Sequence, residues 1–346
     1  MAIHRVSFKP YYLPLKRPWH DHHGSITERS GWLISLDTSD GTGVGDCAPL
    51  SSAGTEPPDV AERWLNQHLI DFIGLDPMAL LTAMDEQTDI PSAVRCGIET
   101  AAIDLLSQQQ GLSISQWLNA GALDQIKVNA NLGTLTGNTI HQLNEVSDYS
   151  VIKLKLGVAP LDTETALLGQ LCRRLPDGIK LRLDANQAWS YEQAGRLLDH
   201  CSALPIESIE EPLANPDLKA LSQLQQITDI PIALDESLIR FELDTIFESP
   251  AVKRITVKPM VTGGLRSGLN LAQRAFASQK DVVITTTVDS AIGVWAATHL
   301  AAALGEDGRD VAHGLATSQW LAEDVATAPL IENGSIDLQP SRTTGS

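Results

Sequence analysis

Cysteine is scarce in this sequence. Cys47, Cys96, Cys172 and Cys201 are scattered over 346 residues, and no two form a C-x-x-C pair. A disulfide framework and a cysteine-built zinc site are both poorly served by that pattern, and a reducing cytoplasm suits it. Long apolar runs are missing too. None approaches the roughly 20 residues that a transmembrane helix needs, and the opening "MAIHRVSFKPYYLPLKRPW" lacks the apolar core of a signal peptide. Basic charge is short, with 25 Lys and Arg against 43 Asp and Glu, a formal net charge of −18. Nucleic acid, whose phosphates require a basic surface, is therefore not an expected partner, and neither is a membrane. The acidity reads as solubility, with a smaller part of it available to hold a metal. No G-x-G-x-x-G follows a first strand, and "GTGVGD" precedes no helix, so the dinucleotide fingerprint is absent as well.

What the sequence does have is a globular composition, 43% hydrophobic and 20% charged, and enough length for a large and a small domain. From Ile3 to about Leu36 the pattern is strand-like. "DTSDGTGVGDCAPL" then clusters turn residues, which predicts a hairpin followed by a loop. From Pro57 to about Leu118 apolar residues recur at helical spacing, in "DVAERWLNQHLIDFI" and in "SAVRCGIETAAIDLLSQQQG", which stops at Gly111. Strands followed by helices predict a small α+β domain over residues 1–122.

Beyond it the rhythm alternates. Eight short β-rich runs, from "IKVNANLG" and "VIKLKLG" to "DVVITTT" and "VAHGL", are separated mostly by helical stretches such as "DTETALLGQLCRRL". Eight such units over residues 123–318 match a closed β/α barrel better than an open sheet. Residues 319–346 are polar and are expected to return to the first domain.

The ionisable residues fall into place on that frame. In "VIKLKLG" strand alternation sends Lys153 and Lys155 to one face. Asp184 ends the next strand in "LRLDAN", Glu210 the next in "SIEEP", Asp235 the next in "IALDES" and Lys258 the next in "ITVKP". Each lies 23 to 29 residues after the last, about one β/α unit, so consecutive strands deliver one charge each to the same rim. Any one of these carboxylates alone is ordinarily a helix cap or a loop residue, and a lone strand lysine ordinarily snorkels. Five in register resist that reading. Oxygen ligands without His or Cys suit Mg²⁺, or Mn²⁺, rather than Zn²⁺. A lysine beside a second cation and a metal has a depressed pKa and can act as a base. The chemistry implied is proton abstraction next to a carboxylate, on a small-molecule carboxylate substrate.

K-x-K at Lys153 and Lys155, "DAN" at Asp184–Asn186, "EEP" at Glu210–Pro212, "DES" at Asp235–Ser237 and "KP" at Lys258–Pro259 resemble the enolase superfamily, muconate-lactonising subgroup. The resemblance covers nearly the whole chain and implies a modified TIM barrel, (β/α)7β, with an N-terminal α+β capping domain completed by the C-terminal tail. Within the subgroup, "LRLDANQAW", "VKPMVTGG" and "ITTTVDSAIG" are most similar to the o-succinylbenzoate synthase family. That likeness implies Mg²⁺-dependent syn dehydration of a cyclohexadiene carboxylate to 2-succinylbenzoate, through an enediolate, in menaquinone or phylloquinone synthesis. It implies Asp184, Glu210 (rather than Glu211) and Asp235 as metal ligands, Lys155 as the base and then the acid, and Lys258 as a permanent cation. Lys153, Asn186 and Glu236 are implied to support them, and Thr285 and Gly314 to touch the succinyl part. The loop "PWHDHHGSITERSG" corresponds to one that closes over the substrate; its His20, His22 and His23 read as loop polarity rather than a metal cluster. The protein is expected to be a cytoplasmic monomer or homo-oligomer.

The nearest rivals on the same scaffold are an N-acylamino acid racemase and a dipeptide epimerase, with both lysines trading a proton across one carbon. A dipeptide epimerase usually carries an Asp-x-Asp pair at the eighth strand, which "VAHGLATSQW" lacks. A muconate-type cycloisomerase is a weaker rival. A metal-binding protein that has lost its chemistry would have lost a lysine, and both are present.

Overall fold

The computed structural model describes residues 2–21 and 24–338. Three antiparallel strands open the chain, β1 (Arg5–Asp21), β2 (Gly24–Thr38) and β3 (Gly41–Cys47). The turn cluster does form a hairpin, turning at Ser39–Asp40, but the glycines after the turn belong to strand β3 and not to a loop. Those glycines admit a helix rather than a turn. A Cβ on Gly43 would stand 2.0 Å from the Ala101 carbonyl oxygen, and one on Gly45 1.9 Å from that of Gly97. Only a strand without side chains there lets the helix backbone approach so closely.

That helix is α3 (Ser92–Gln110), preceded by α1 (Pro58–His68) and α2 (Pro77–Glu86) and followed by the short α4 (Ile114–Leu118). As the sequence predicts, α3 stops at Gly111, which takes up the left-handed φ of 64°. Asp76 caps α2 by accepting from Met78 N and Ala79 N, both at 3.0 Å.

"IKVNANLG" breaks in two. β4 (Gln125–Lys127) pairs antiparallel with β12 (Ser335–Asp337), while β5 (Ala130–Thr134) begins a parallel sheet. That sheet continues through β6 (Val151–Lys155), β7 (Lys180–Asp184), β8 (Ile206–Glu210), β9 (Ile232–Leu234), β10 (Arg254–Val257) and β11 (Asp281–Ile284), in that order. The intervening helices are α5 (Leu161–Cys172), α6 (Tyr191–Cys201), α7 (Leu218–Gln226), α8 (Leu243–Glu248), α9 (Pro259–Thr262) and α10 (Leu265–Ala277), with α11 (Ala291–Ala303) after β11. The eighth run, "VAHGL", forms no strand of its own. It joins the sheet's two ends by single bridges, His313 to Val128 and Gly314 to Thr285. The barrel is therefore closed, the (β/α)7β arrangement over an α+β cap.

Alternation divides each barrel strand into two faces. Ile152, Leu154, Leu181 and Leu183 are fully buried apolar residues. Between them stand the polar ones. Below the rim, Arg182 grips Glu207 with two bonds of 2.9 and 3.0 Å and reaches Asn129 at 2.9 Å. Arg254 joins Glu207 at 2.6 Å and Ser208 at 2.9 Å. A register shift between β7 and β8 makes Glu207 the extra residue of its strand and sends it to its arginines.

Cap and barrel are joined by buried polar contacts. Asp46 accepts from Ser290 N at 3.1 Å and Oγ at 2.7 Å, and Arg29 donates to the Val288 carbonyl at 3.1 Å. Glu99 of α3 holds Arg266 of α10 at 3.0 Å. Farther along the chain, Leu321 bridges Leu15 and Ala322 N donates to Pro14 O at 2.8 Å. All four cysteines are free thiols. Among the described residues no helix is long and apolar enough to cross a membrane.

Candidate active site

Strand register gathers the charges that the sequence singled out. Lys155 pairs with Asp184 across β6 and β7, and Asp184 with Glu210 across β7 and β8, so the three stand level at one rim. Asp235 follows β9 directly and Lys258 follows β10. Lys153, Lys155, Asp184, Asn186, Asp235, Glu236, Lys258, Thr285 and Gly314 line one cavity, walled also by Trp19, Asn129, Asn131 and Thr317. Glu210 lies just behind, 2% exposed.

Two lysines occupy the carboxylates. Lys153 Nζ lies 2.8 Å from Asp184 Oδ2 and 2.9 and 3.0 Å from the two oxygens of Glu210. Lys258 Nζ lies 2.6 Å from Asp235 Oδ2. Asn186, in the left-handed region at φ 42°, donates its side-chain amide to Glu236 Oε1 at 2.9 Å and its backbone N–H to Asp184 Oδ1 at 3.0 Å. The other Glu236 oxygen, Oε2, is buried without a partner among the described residues.

Charge states follow from these pairings. Burial would lift Asp184, but Lys153 and Lys155 outweigh it and hold the carboxyl below its ordinary range. Burial opposes charge on Lys153 and Lys258 too, yet the facing carboxylates raise both. Lys155 goes the other way. Burial depresses it, and Lys153 and Lys258 add to that, against the pull of Asp184 and Glu236. Glu210 is pushed up to about 7, first by burial, with Lys153 opposing and Asp184 and Asp235 adding. Burial likewise raises Asp235, against Lys258, and lifts Glu236 to about 7.

The donor set is all oxygen. One ammonium, that of Lys153, already sits within 3.0 Å of three carboxylate oxygens from two strands. A cation-sized position between Asp184 and Glu210 therefore exists, and its chemistry fits a hard divalent ion. Among the described residues no three acidic, His or Cys side chains form a ready-made cage, since the lysines hold the carboxylates instead. His22 and His23, and the His20 side chain, lie outside the described residues.

The threonine wall is tied up internally. Thr285 Oγ1 donates to the Gly314 carbonyl at 2.7 Å, Thr286 and Thr317 share a bond of 2.6 Å, and Thr287 donates to Asp289 at 2.5 Å. Sequence reasoning missed Trp19, whose ring lies 4.4 Å from Lys155 Nζ and packs edge-on to Trp320. Trp19 lies in β1, paired with Ile26 of β2, and not in a loop as the sequence suggested; an indole among polar residues was the available signal. A second cavity, of about 580 Å³, shares Asp235, Glu236 and Lys258 with the first but lies toward α8 and α10. Its arginines are already paired, Arg266 with Asp85 and Arg274 with Asp244.

A capped β/α barrel whose rim sets lysines against acidic strand ends defines an enzyme of the enolase superfamily's muconate-lactonising kind. The chain belongs to the family described as Enolase C-terminal domain-like, whose model matches residues 138–343. Protein PHYLLO of Arabidopsis thaliana is 29% identical over 86% of this chain, which spans 20% of that longer protein. The D-Ala-D/L-Ala epimerase of Cytophaga hutchinsonii is 27% identical over 87% of this chain and 84% of its own length. Among solved structures, a dipeptide epimerase from Methylococcus capsulatus, complexed with Mg and the dipeptide L-Arg-D-Lys, superposes with a TM-score of 0.88 at 25% identity, covering 98% of each chain.

Proposed function

We propose that this chain removes the proton from the carbon next to a substrate carboxylate, with Lys155 as the base and Lys258 as the facing cation. One observation carries the reading: the two lysines flank three strands whose ends bear Asp184, Glu210 and Asp235. Burial and its cationic neighbours favour neutral Lys155, the form that accepts a proton. Lys258, kept charged by Asp235, stabilises the negative charge that develops as the proton leaves. Asp184, Glu210 and Asp235 would hold Mg²⁺, or Mn²⁺, which supplies positive charge to the substrate carboxylate. Lys153 and Lys258, which hold these carboxylates in the structure, would give up part of those contacts to the ion.

The substrate reading rests on the wall opposite. Among the described residues this wall is Thr285, Thr286, Thr287, Gly314 and Thr317, and Asp289, which touches it, is buried and taken up by Thr287. That favours an uncharged acyl arm over the free amine of a dipeptide. The reaction is then that of o-succinylbenzoate synthase on 2-succinyl-6-hydroxy-2,4-cyclohexadiene-1-carboxylate. Lys155 takes the ring proton and returns it to the departing hydroxyl, so water leaves and the ring becomes aromatic.

A second reading is racemisation of an N-acylamino acid, in which Lys258 returns a proton to the opposite face. The named relatives, mostly epimerases, favour proton transfer of this kind over dehydration. One experiment separates the two. Purified protein with Mg²⁺ is given the cyclohexadiene substrate, followed by the absorbance of the aromatic product, and N-succinylamino acids in D₂O, followed by α-deuterium uptake. Turnover of the first supports the synthase. Deuterium uptake without dehydration replaces it with the racemase, and neither activity overturns both.

A further inference from the structure

Glu211, the second glutamate of "EEP", is 1% exposed and held at a left-handed φ of 47°. A non-glycine residue persists there only when its surroundings fix it. Both of its carboxylate oxygens face the loop after β9. Oε1 accepts from the backbone N–H groups of Asp235 at 2.7 Å and Ser237 at 2.8 Å, and Oε2 from Ser237 Oγ at 2.5 Å. The backbone of Glu211 ties in two further strands. Its N–H donates to the Ala233 carbonyl at 3.1 Å, and its carbonyl accepts from Gln187 N at 2.8 Å. One residue thus joins the ends of β7, β8 and β9, the three strands that deliver Asp184, Glu210 and Asp235.

We propose that Glu211 is a positioning residue, which fixes the backbone of Asp235–Ser237 from behind and so sets the direction of the Asp235 carboxylate. The proposal rests on the reading of Asp235 as a metal ligand. Two N–H donors converge on one oxygen, and a carboxylate satisfies both with charge-assisted bonds. Glutamine retains that oxygen and can donate to Ser237 Oγ with its amide, so it preserves the clamp. Alanine leaves two buried N–H groups and a hydroxyl to find other partners, and the loop that bears Asp235 loosens.

The test compares Glu211→Ala, Glu211→Gln, Ser237→Ala and Asp235→Asn by calorimetric titration with Mg²⁺ in the absence of substrate. Backbone hydrogen exchange over residues 232–240 is measured alongside. Glu211→Ala should weaken Mg²⁺ by about 10- to 100-fold, as loss of an outer partner does at metal sites, and should speed exchange in that segment. Glu211→Gln should stay close to wild type in both. Leu224→Ala, fully buried in α7, lowers thermal stability without touching the loop and should leave Mg²⁺ affinity unchanged. Should Glu211→Ala fail to fold, Ser237→Ala carries the test by a smaller loss, and unchanged affinity there overturns the proposal. Wild-type affinity in Glu211→Ala, with affinity lost in Asp235→Asn, overturns the positioning role alone. Wild-type affinity in Asp235→Asn removes the ligand reading beneath it.

Discussion

Lys153 donates to both carboxylate oxygens of Glu210, at 2.9 and 3.0 Å, while standing 2.8 Å from Asp184. One ammonium thus bridges two carboxylates that are each about 2% exposed. Without it they would repel, since burial leaves water little part in screening them. Lys153→Met removes the charge and keeps the length. In EDTA it should lower folding stability by about 3–5 kcal/mol, the usual penalty for breaking a buried pair. Saturating Mg²⁺ should restore more stability to the variant than to wild type, because the ion replaces the missing charge. Denaturant melts with and without Mg²⁺ test this, and an equal Mg²⁺ response in the two proteins would refute it.

Lys155 owes its depressed pKa to burial first and to Lys153 and Lys258 next. Lys155→Ala deletes the proposed base but none of the carboxylates. Turnover should fall by about 10²–10⁴-fold, the usual worth of a positioned base, with Mg²⁺ affinity retained. The check is single-turnover kinetics beside calorimetry. Near-normal turnover would show that another group takes the proton.

The rim was legible because five motifs fall one β/α unit apart, and a one-residue change of strand register would have sent each side chain to the other face. What lies under the rim was not. Arg182 and Arg254 alternate with leucine and isoleucine as a surface strand's residues would, and their partner Glu207 arrives through a shift of register that no periodicity reveals. "VAHGL" was readable as the closing segment but not as two single bridges, since its alternation gives no length. Gly43 and Gly45 looked like turn residues because sequence does not show that α3 lies against them. Glu210 and Glu211 are chemically identical neighbours. Only the fold shows one on the rim and the other behind the Asp235 loop.

Glu207 makes acid stability measurable. Burial would raise its pKa, but Arg182 and Arg254 outweigh burial and bring it down from 4.5 to about 2. A carboxylate depressed on folding contributes stability that is fully present above its unfolded value and is lost as pH falls toward the folded one. The window here is about pH 4.5 to 2, and the contribution is about 3 kcal/mol. Glu207→Gln should therefore be less stable than wild type by about that amount at pH 6, with the gap narrowing as pH drops below 4.5. Urea unfolding at pH 6, 4 and 3 measures it. A gap that stays constant with pH would mean the arginines do not hold this carboxylate.

Gly314 tests the closure of the barrel against the cavity wall it forms. It bridges Thr285, its N–H donates to the Ile284 carbonyl at 2.8 Å, and its own carbonyl accepts from Thr285 Oγ1 at 2.7 Å. A Cβ added here would stand 2.5 Å from Thr285 Oγ1 and 2.9 Å from Thr285 Cβ. The backbone φ is not in the left-handed region, so space and not strain forbids a side chain. Gly314→Ala must push Thr285 into the cavity or part the seam between β11 and the closing segment. Either movement narrows or skews the wall proposed to meet the acyl arm. KM should rise about tenfold or more, as one overpacked methyl of 1–3 kcal/mol allows, while kcat changes little. Thr285→Ala removes the nearer of the two clashing atoms. The double variant Gly314→Ala/Thr285→Ala should then bind better than the sum of the single effects predicts, a coupling expected only for residues in contact. Simple additivity of the two KM changes would place the damage elsewhere and detach Thr285 and Gly314 from the substrate.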